Sequence, residues 1–141
     1  RLLGCEVEVA SRMRWKGSNR NPVLGILDTG ASHSVMNWAA AKALLGLSDV
    51  ADPRLAGADS ISSFDINNRP IDLPLIEVQL ELRGTGQEPR GVASFRPIEI
   101  AIGNIALFAT LLRGNTNSPA VLVGQDLLVQ RSMILGARQR L

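Results

Sequence analysis

The stretch at residues 26–36, "ILDTGASHSVM", decides how the rest of this 141-residue sequence is interpreted. Two apolar residues lead into Asp28, a Thr-Gly-Ala-Ser turn follows, and apolar residues return after Ser34. Aspartate is depleted in strands, and buried carboxylates are uncommon unless they are partnered. The pattern therefore predicts a buried strand that ends in one carboxylate. The small residues after it would let the backbone approach a ligand closely.

The overall composition is that of one ordinary globular domain covering residues 1–141, with 45% hydrophobic and 20% charged residues. The net charge of +2 does not predict a nucleic-acid partner, and we expect none. No run of about 18 apolar residues occurs, so we expect no membrane segment in this chain. Cys5 is the only cysteine and His33 the only histidine. These counts allow no intramolecular disulfide and offer no zinc ligand set, and we expect no metal and no cofactor.

Strand patterns dominate the sequence. The segment "IEVQLEL" (76–82) alternates apolar and polar residues, which predicts a half-buried antiparallel strand. A "GN" pair at 103–104 predicts a hairpin turn between two further strands. The other predicted strands are "GCEVEVA" (4–10), "VLGILD" (23–28), "RPIEIAI" (96–102), "IALFATLL" (105–112) and "AVLVG" (120–124).

Helical patterns are few. The segment "NWAAAKALLGL" offers Asn37 as an N-cap, an alanine-rich middle and Gly46 as a stop signal. A second short helix is predicted within "GQDLLVQRS" (124–132), where Asp126 would cap or bond near the helix start. The fold class that follows is mostly β, with one or two short helices.

The segment "LDTGAS" resembles the catalytic loop of retropepsin-like aspartic proteases. Near the other end of the chain, "AVLVGQDLL" (120–128) resembles that family's hydrophobic-hydrophobic-Gly segment with its helix, here 121–131. Between them, the polar and turn-rich "DSISSFDINNRPIDLP" (59–74) resembles the flap hairpin, here 59–71. The resemblance covers nearly the whole chain and implies a closed, β-barrel-like acid-protease domain.

The resemblance also implies roles for particular residues. Asp28 would be the catalytic aspartate, Thr29 would brace the loop of the other subunit, and Gly30 would hold backbone groups against the substrate. The residues implied to bind substrate are Ala31, Ser32, Ser62, Ser63, Phe64, Val123 and Gly124.

The implied function is that of an aspartic endopeptidase acting on a peptide or protein substrate. A pair of carboxylates can activate water and protonate a leaving group without metal or cofactor. Because the chain has a single Asp-Thr-Gly, the pair requires a homodimer in which each chain supplies Asp28. The family commonly builds its dimer sheet from terminal strands, here residues 2–9 and the tail "ARQRL" (137–141).

Two departures from the family pattern concern charge. Many viral relatives carry Asp at the position of Ser32 and Arg at that of Gln125, where the two form an ion-pair network near the dimer interface.

The chain also resembles a bacterial branch with members described as zinc-dependent, yet it offers no zinc ligand set. No motif indicates a cellular location, and a soluble domain cut from a longer, membrane-tethered or exported protein is one arrangement that the sequence allows.

Other interpretations of the same residues remain open. Asp28 is alternatively a turn aspartate that bonds its own backbone. The Asp-x-Gly-x-Ser order also occurs in phosphate-binding loops of the actin and sugar-kinase type, which require a second lobe. A serine-hydrolase interpretation of Ser32 or Ser34 lacks a basic partner, because His33 is expected to point elsewhere. The main alternative function is a catalytically inactive retropepsin-fold module for binding or dimerisation.

Overall fold

The computed structural model describes residues 3–10, 22–84, 92–115 and 117–131. Within these ranges the chain forms strands at Leu3–Val9 (β1), Val23–Leu27 (β2), Val35–Met36 (β3), Ser60–Phe64 (β4), Pro70–Val78 (β5), Leu80–Gly84 (β6), Val92–Ser94 (β7), Ile98–Ile102 (β8) and Ala120–Val123 (β9). The helices are Trp38–Leu45 (α1), Ala106–Leu111 (α2) and Gln125–Leu128 (α3), with 3₁₀ turns at Pro53–Leu55 and Val129–Arg131.

The described strands form one mixed sheet in the order β4-β5-β8-β3-β9-β2-β1-β6-β7. The pairs β2–β9 and β3–β8 are parallel, and the remaining neighbours are antiparallel. The mostly-β prediction is confirmed. The closed barrel is not confirmed, because this strand order is open, with β4 at one end and β7 at the other. The described chain also has three short α-helices where one or two were expected.

Strand β1 lies inside the sheet. Its residues pair with β2 on one edge, as in Leu3 opposite Leu27, and with β6 on the other, as in Val9 opposite Leu80. Both edges of β1 are therefore paired within the chain at residues 5–7, while residues 3–4 pair with β2 and residues 8–9 pair with β6. The expectation that this strand joins a dimer sheet is wrong for residues 5–7, whose two edges are both occupied. Residue 2 and the tail at 137–141 lie outside the described ranges.

The core consists of two clusters, and strand β9 contributes to both. Val121 and Val123 belong to the larger cluster, which includes the buried leucines of α1. Ala120 and Leu122 belong to the smaller cluster, together with Phe108 of α2. Each fully buried aliphatic or aromatic side chain contributes roughly 1.5–3 kcal/mol. Burial on both faces explains why β9 is continuously apolar.

The segment at 105–112 contains a helix rather than the predicted strand. Four apolar residues of this segment pack on the smaller cluster, and their spacing is that of one helical face. They are Ile105, Phe108, Leu111 and Leu112. The hairpin predicted at Gly103–Asn104 is likewise wrong, because these residues connect β8 to α2. A short apolar run does not separate strand from helix by periodicity alone.

The alternation at 76–82 is confirmed, but the strand is interrupted at Gln79. Val78, Leu80 and Leu82 are buried, while Glu77 is exposed. The interruption changes the partner strand, because β5 pairs with β8 and β6 pairs with β1. The alternation predicted which face is buried, whereas the change of partner depends on distant strands.

The prediction of α1 is confirmed, including both of its ends. The Asn37 side chain accepts a hydrogen bond from Ala40 N at 2.9 Å, as an N-cap does. Gly46 ends the helix in the left-handed conformation, with φ 68°, where glycine carries no Cβ penalty. The short helix predicted after Gly124 is also present, as α3.

Candidate active site

Asp28 lies directly after β2, at the point where that strand runs beside β9. Leu27 is opposite Val123 in the parallel pair, and Asp28 N donates to Val123 O at 2.9 Å. The carboxylate is partly exposed, and its Oδ1 accepts from Gly30 N at 2.9 Å. Ala31 N donates to Asp28 O at 3.2 Å, which closes a four-residue turn. The second carboxylate oxygen has no hydrogen-bond partner among the described residues.

The residues after Asp28 differ in exposure. Thr29, Gly30 and Ser32 are exposed, whereas Ala31 is half-buried and packs on the smaller core cluster. Ser32 Oγ lies 3.4 Å from His33 Nδ1. The expectation that His33 points away from the serines is therefore wrong for Ser32. The loop is bent at these residues rather than extended, which brings the neighbouring side chains together.

Three consecutive residues at the junction of β9 and α3 hold this loop. Gly124 N donates to Ser34 Oγ at 3.0 Å, and Gln125 N donates to Ala31 O at 2.8 Å. A Cβ on Gly124 would lie 2.8 Å from Ala31 O and equally close to the backbone of His33. Glycine is therefore required here by the close approach of two backbone segments. The backbone of Gly124 therefore lies directly against the loop.

The end of the loop is held by Asp126, in the first turn of α3. Its Oδ2 accepts from Ser34 N at 2.9 Å, and its Oδ1 accepts from Ser34 Oγ at 2.6 Å. Leu127 N also donates to Oδ1, at 2.9 Å. Ser34 is fully buried, so these contacts satisfy polar groups that are away from water. The prediction that Asp126 bonds near the helix start is confirmed.

Sequence reasoning missed the role of Ser34, which links the loop to Gly124 and Asp126. One signal for it was present, since a serine directly before two apolar strand residues is a candidate for burial, and a buried hydroxyl needs a hydrogen-bond partner. Its partner Asp126 is 92 positions away in sequence. Spacing along the chain does not reveal such a contact.

The side chain of Val123 does not line the loop region. It is fully buried in the larger core cluster, so it has no exposed surface to offer a substrate in this structure. Its backbone carbonyl is the part that contacts the site, by accepting from Asp28 N.

The predicted flap residues lie on the hairpin of β4 and β5. Exposure alternates along β4, so Ser62 and Phe64 share one face, while Ser63 lies on the other face with Ile61. The three residues implied to bind substrate therefore do not present one common surface. Ile61, together with Ile71 of β5, packs on the same smaller cluster as Ala31. This cluster is the feature that the hairpin and the Asp28 loop share.

Neither a metal-binding cluster nor a membrane-spanning helix occurs within the described ranges. No group of three or more His, Cys, Asp or Glu side chains there is arranged to hold a metal ion. None of the described helices has the length and apolar character needed to cross a bilayer.

Comparisons with known proteins find a likeness at the level of solved structures. No family model matches the sequence, and no curated protein matches it. A solved structure entitled "EIAV protease complexed with the inhibitor HBY-793" is similar to this chain at 15% sequence identity, with a TM-score of 0.39. The match covers 94% of this chain and 89% of that one. A TM-score of this size does not establish a shared fold.

Proposed function

We propose that this chain is an aspartic endopeptidase of the retropepsin-like kind that hydrolyses peptide bonds as a homodimer. One observation carries the proposal. A partly exposed carboxylate, Asp28, ends a central strand, and the turn after it is held in place by the distant residues Gly124–Asp126. Holding a loop in this way gives the carboxylate a defined position, as a reacting group requires.

The reaction needs a second carboxylate, which a second copy of the chain would supply across a two-fold axis. Two carboxylates that face each other share one proton, because both cannot be ionised at short distance. The ionised Asp28 takes a proton from water, and the hydroxide oxygen that this produces attacks the scissile carbonyl carbon. The protonated Asp28 donates its proton toward that carbonyl oxygen. Collapse of the intermediate breaks the C–N bond, and a carboxyl proton passes to the leaving amine.

An extended peptide with apolar residues near the cut is the proposed substrate. The smaller core cluster supports this, because Ala31 beside the catalytic turn and Ile61 of the hairpin both pack on it. We propose that the hairpin folds over the bound chain with the face that carries Ile61 and Ser63. Phe64, which is 53% exposed, would then lie on the outer face of the hairpin.

The first test is cleavage of a diverse peptide mixture from acidic to neutral pH by wild type and by Asp28→Asn. We expect cleavage by wild type, inhibition by a statine-type compound and no detectable cleavage by the variant. Asp49→Asn is the matched control, because Asp49 is exposed and its Oδ1 also accepts from the backbone N–H two residues on, Ala51 N, in a turn outside the Asp28 loop and the hairpin. Equal cleavage by Asp28→Asn and wild type would contradict the proposal.

A mixing experiment tests the dimer separately. Wild type is mixed with Asp28→Asn and the chains are allowed to re-equilibrate. If each active unit needs two intact Asp28 residues, the activity per total protein falls with the square of the wild-type fraction. A linear fall would show that one chain is sufficient and would contradict the shared pair.

The second candidate function is an inactive binding or dimerisation module. The hydrogen bond from Gly30 N to Asp28 Oδ1 favours it, because a turn aspartate without any catalytic role makes the same contact. A folded, dimeric wild type that cleaves no peptide at any pH would support this module over the protease.

A further inference from the structure

The Thr29–Gly30 peptide group connects Gln125 to the carboxylate of Asp28. Gln125 Nε2 donates to Thr29 O at 2.7 Å, and Gly30 N donates to Asp28 Oδ1 at 2.9 Å. The carbonyl and the N–H in these two contacts belong to one peptide bond. That unit is planar and trans, so the direction of its carbonyl also sets the direction of its N–H.

We propose that Gln125 is a positioning residue that keeps the Gly30 N–H directed at the catalytic carboxylate. The proposal rests on the proposed function of Asp28. The amide of Gln125 orients the Asp28 carboxylate through the Thr29–Gly30 peptide group rather than by a direct hydrogen bond. Hydrogen bonds arranged in a chain also polarise one another, so donation to Thr29 O strengthens the donor at Gly30 N.

The local turn explains why such a residue is needed. Residues 28–31 form a β-turn with Thr29 and Gly30 at its centre, and neither of these two has a positive φ. Rotation of the central peptide would convert this turn into type II, which needs a positive φ at the third position. Glycine accepts that conformation without steric cost. Gly30 therefore permits a flipped state in which the N–H points away from Asp28, and the bond from Gln125 opposes it.

The substitution series uses Gln125→Met, which removes the amide, and Gln125→Glu, which replaces it with a titratable acid. Gln125 is exposed, so both variants are expected to fold. We expect Gln125→Met to lower kcat about tenfold with little change in KM, because one hydrogen bond is lost and the substrate contacts are kept.

Gln125→Glu gives a readout that a merely structural role would not produce. The protonated acid can donate to Thr29 O, and the ionised form cannot. The ratio of its kcat to that of wild type should fall about tenfold as pH rises through about 4.3, the ordinary pKa of glutamate. Asp28, His33 and Asp126 are the other titratable groups of the loop and junction. They are present in both proteins, so their effects cancel to first order in the ratio.

Gln130→Glu is the matched control. Gln130 lies beyond α3, and its side chain contacts Arg96 N and Asp126 O rather than the loop. It adds the same charge near the same helix, and its kcat ratio should stay flat over the same pH range. A flat ratio for Gln125→Glu together with unchanged kcat for Gln125→Met would overturn the proposal.

Amide exchange at Gly30 separates this inference from the proposed function. If wild type cleaves no peptide, the protease proposal fails, and the exchange rate of the Gly30 amide still measures whether Gln125 holds the Thr29–Gly30 peptide group in place. Faster exchange of the Gly30 amide in Gln125→Met than in wild type supports this positioning role of Gln125. Equal exchange rates overturn it.

Discussion

The loop after Asp28 and the hairpin tip between β4 and β5 are held in different ways. The loop exchanges hydrogen bonds with residues about ninety positions away, at the junction of β9 and α3. The hairpin tip is held by contacts within itself, since Asp65 Oδ1 accepts from Asn67 N and Arg69 N at 2.9 and 3.0 Å. Long-range contacts place one group relative to the whole fold, whereas local contacts only shape a turn.

Side-chain exposure differs between the hairpin tip and the end of the Asp28 loop. Phe64 and Ile66 at the hairpin tip are 53% and 64% exposed, while Ser34 at the end of the loop is fully buried. A segment with few buried contacts opens at lower free energy than a segment tied into the core. The comparison therefore indicates that the Asp28 loop is fixed relative to the core, and that the hairpin tip opens at lower free energy than the loop.

The largest expected effect comes from obstructing the close approach between the backbone of Gly124 and that of the Asp28 loop. In Gly124→Ala the new Cβ would lie 2.8 Å from Ala31 O, and backbone atoms cannot yield as a flexible side chain does. We expect the free energy of unfolding to fall by about 3 kcal/mol or more, measured by denaturant titration. Gly4→Ala is the control, because its nearest atoms are at 3.9 Å and its stability should hardly change. A fully stable Gly124→Ala would mean that the junction does not constrain the loop.

A smaller loss is expected from Ser34→Ala. This change leaves the buried N–H of Gly124 without its acceptor and removes one donor from Asp126. We expect a loss of about 2 kcal/mol in unfolding free energy, because an unsatisfied buried donor retains its full desolvation cost. Ser32→Ala changes an exposed serine of the same loop and should cost far less. Equal losses in the two variants would contradict the role of the Ser34 network.

The free energy of unfolding should also fall at alkaline pH, because Cys5 lies in β1, opposite Gly25 of β2, the strand that Asp28 follows. Burial, with a smaller effect of the Glu6 charge, raises the pKa of Cys5 from 9.0 to about 11. Between these values the unfolded chain loses a proton that the folded chain keeps, so stability falls as pH rises. We expect a loss of about 1 kcal/mol at about pH 10.

Cys5→Ala isolates that alkaline loss, because it removes the only thiol of the chain. The unfolding free energies of wild type and Cys5→Ala are measured across the same pH range, and the value for the variant is subtracted from that for wild type. We expect this difference to shrink as the pH rises above 9.0, the ordinary value for the thiol. A difference that stays constant would show that the thiol does not affect the strand pair.

The smallest global effect is expected at the hairpin tip. Asp65→Ala removes the acceptor for Asn67 N and Arg69 N, yet it changes no buried contact. We expect a change of about 0.5 kcal/mol or less in unfolding free energy, with faster amide exchange confined to the tip. Asp49→Ala removes a similar exposed turn contact elsewhere and should leave exchange at the tip unchanged. A large global loss in Asp65→Ala would remove the distinction between the two regions.

Sequence patterns predicted the parts of the fold that depend on near neighbours. The cap at Asn37 and the stop at Gly46 were predicted because both act within one helical turn. The buried face at 76–82 followed from strict alternation. The helix α2 was not predicted, because its apolar run suits a strand as well, and only packing of Phe108 on the smaller cluster distinguishes the two.

The sequence by itself determined that one carboxylate, Asp28, would end an apolar strand and be followed by a turn of small residues. Only the tertiary structure decided what holds that turn, because Gly124, Gln125 and Asp126 reach it from a distant part of the chain. It also decided that β1 is an internal strand and that Val123 is a core residue. Local preferences act over a few residues, whereas strand order and backbone approach depend on how the whole chain packs.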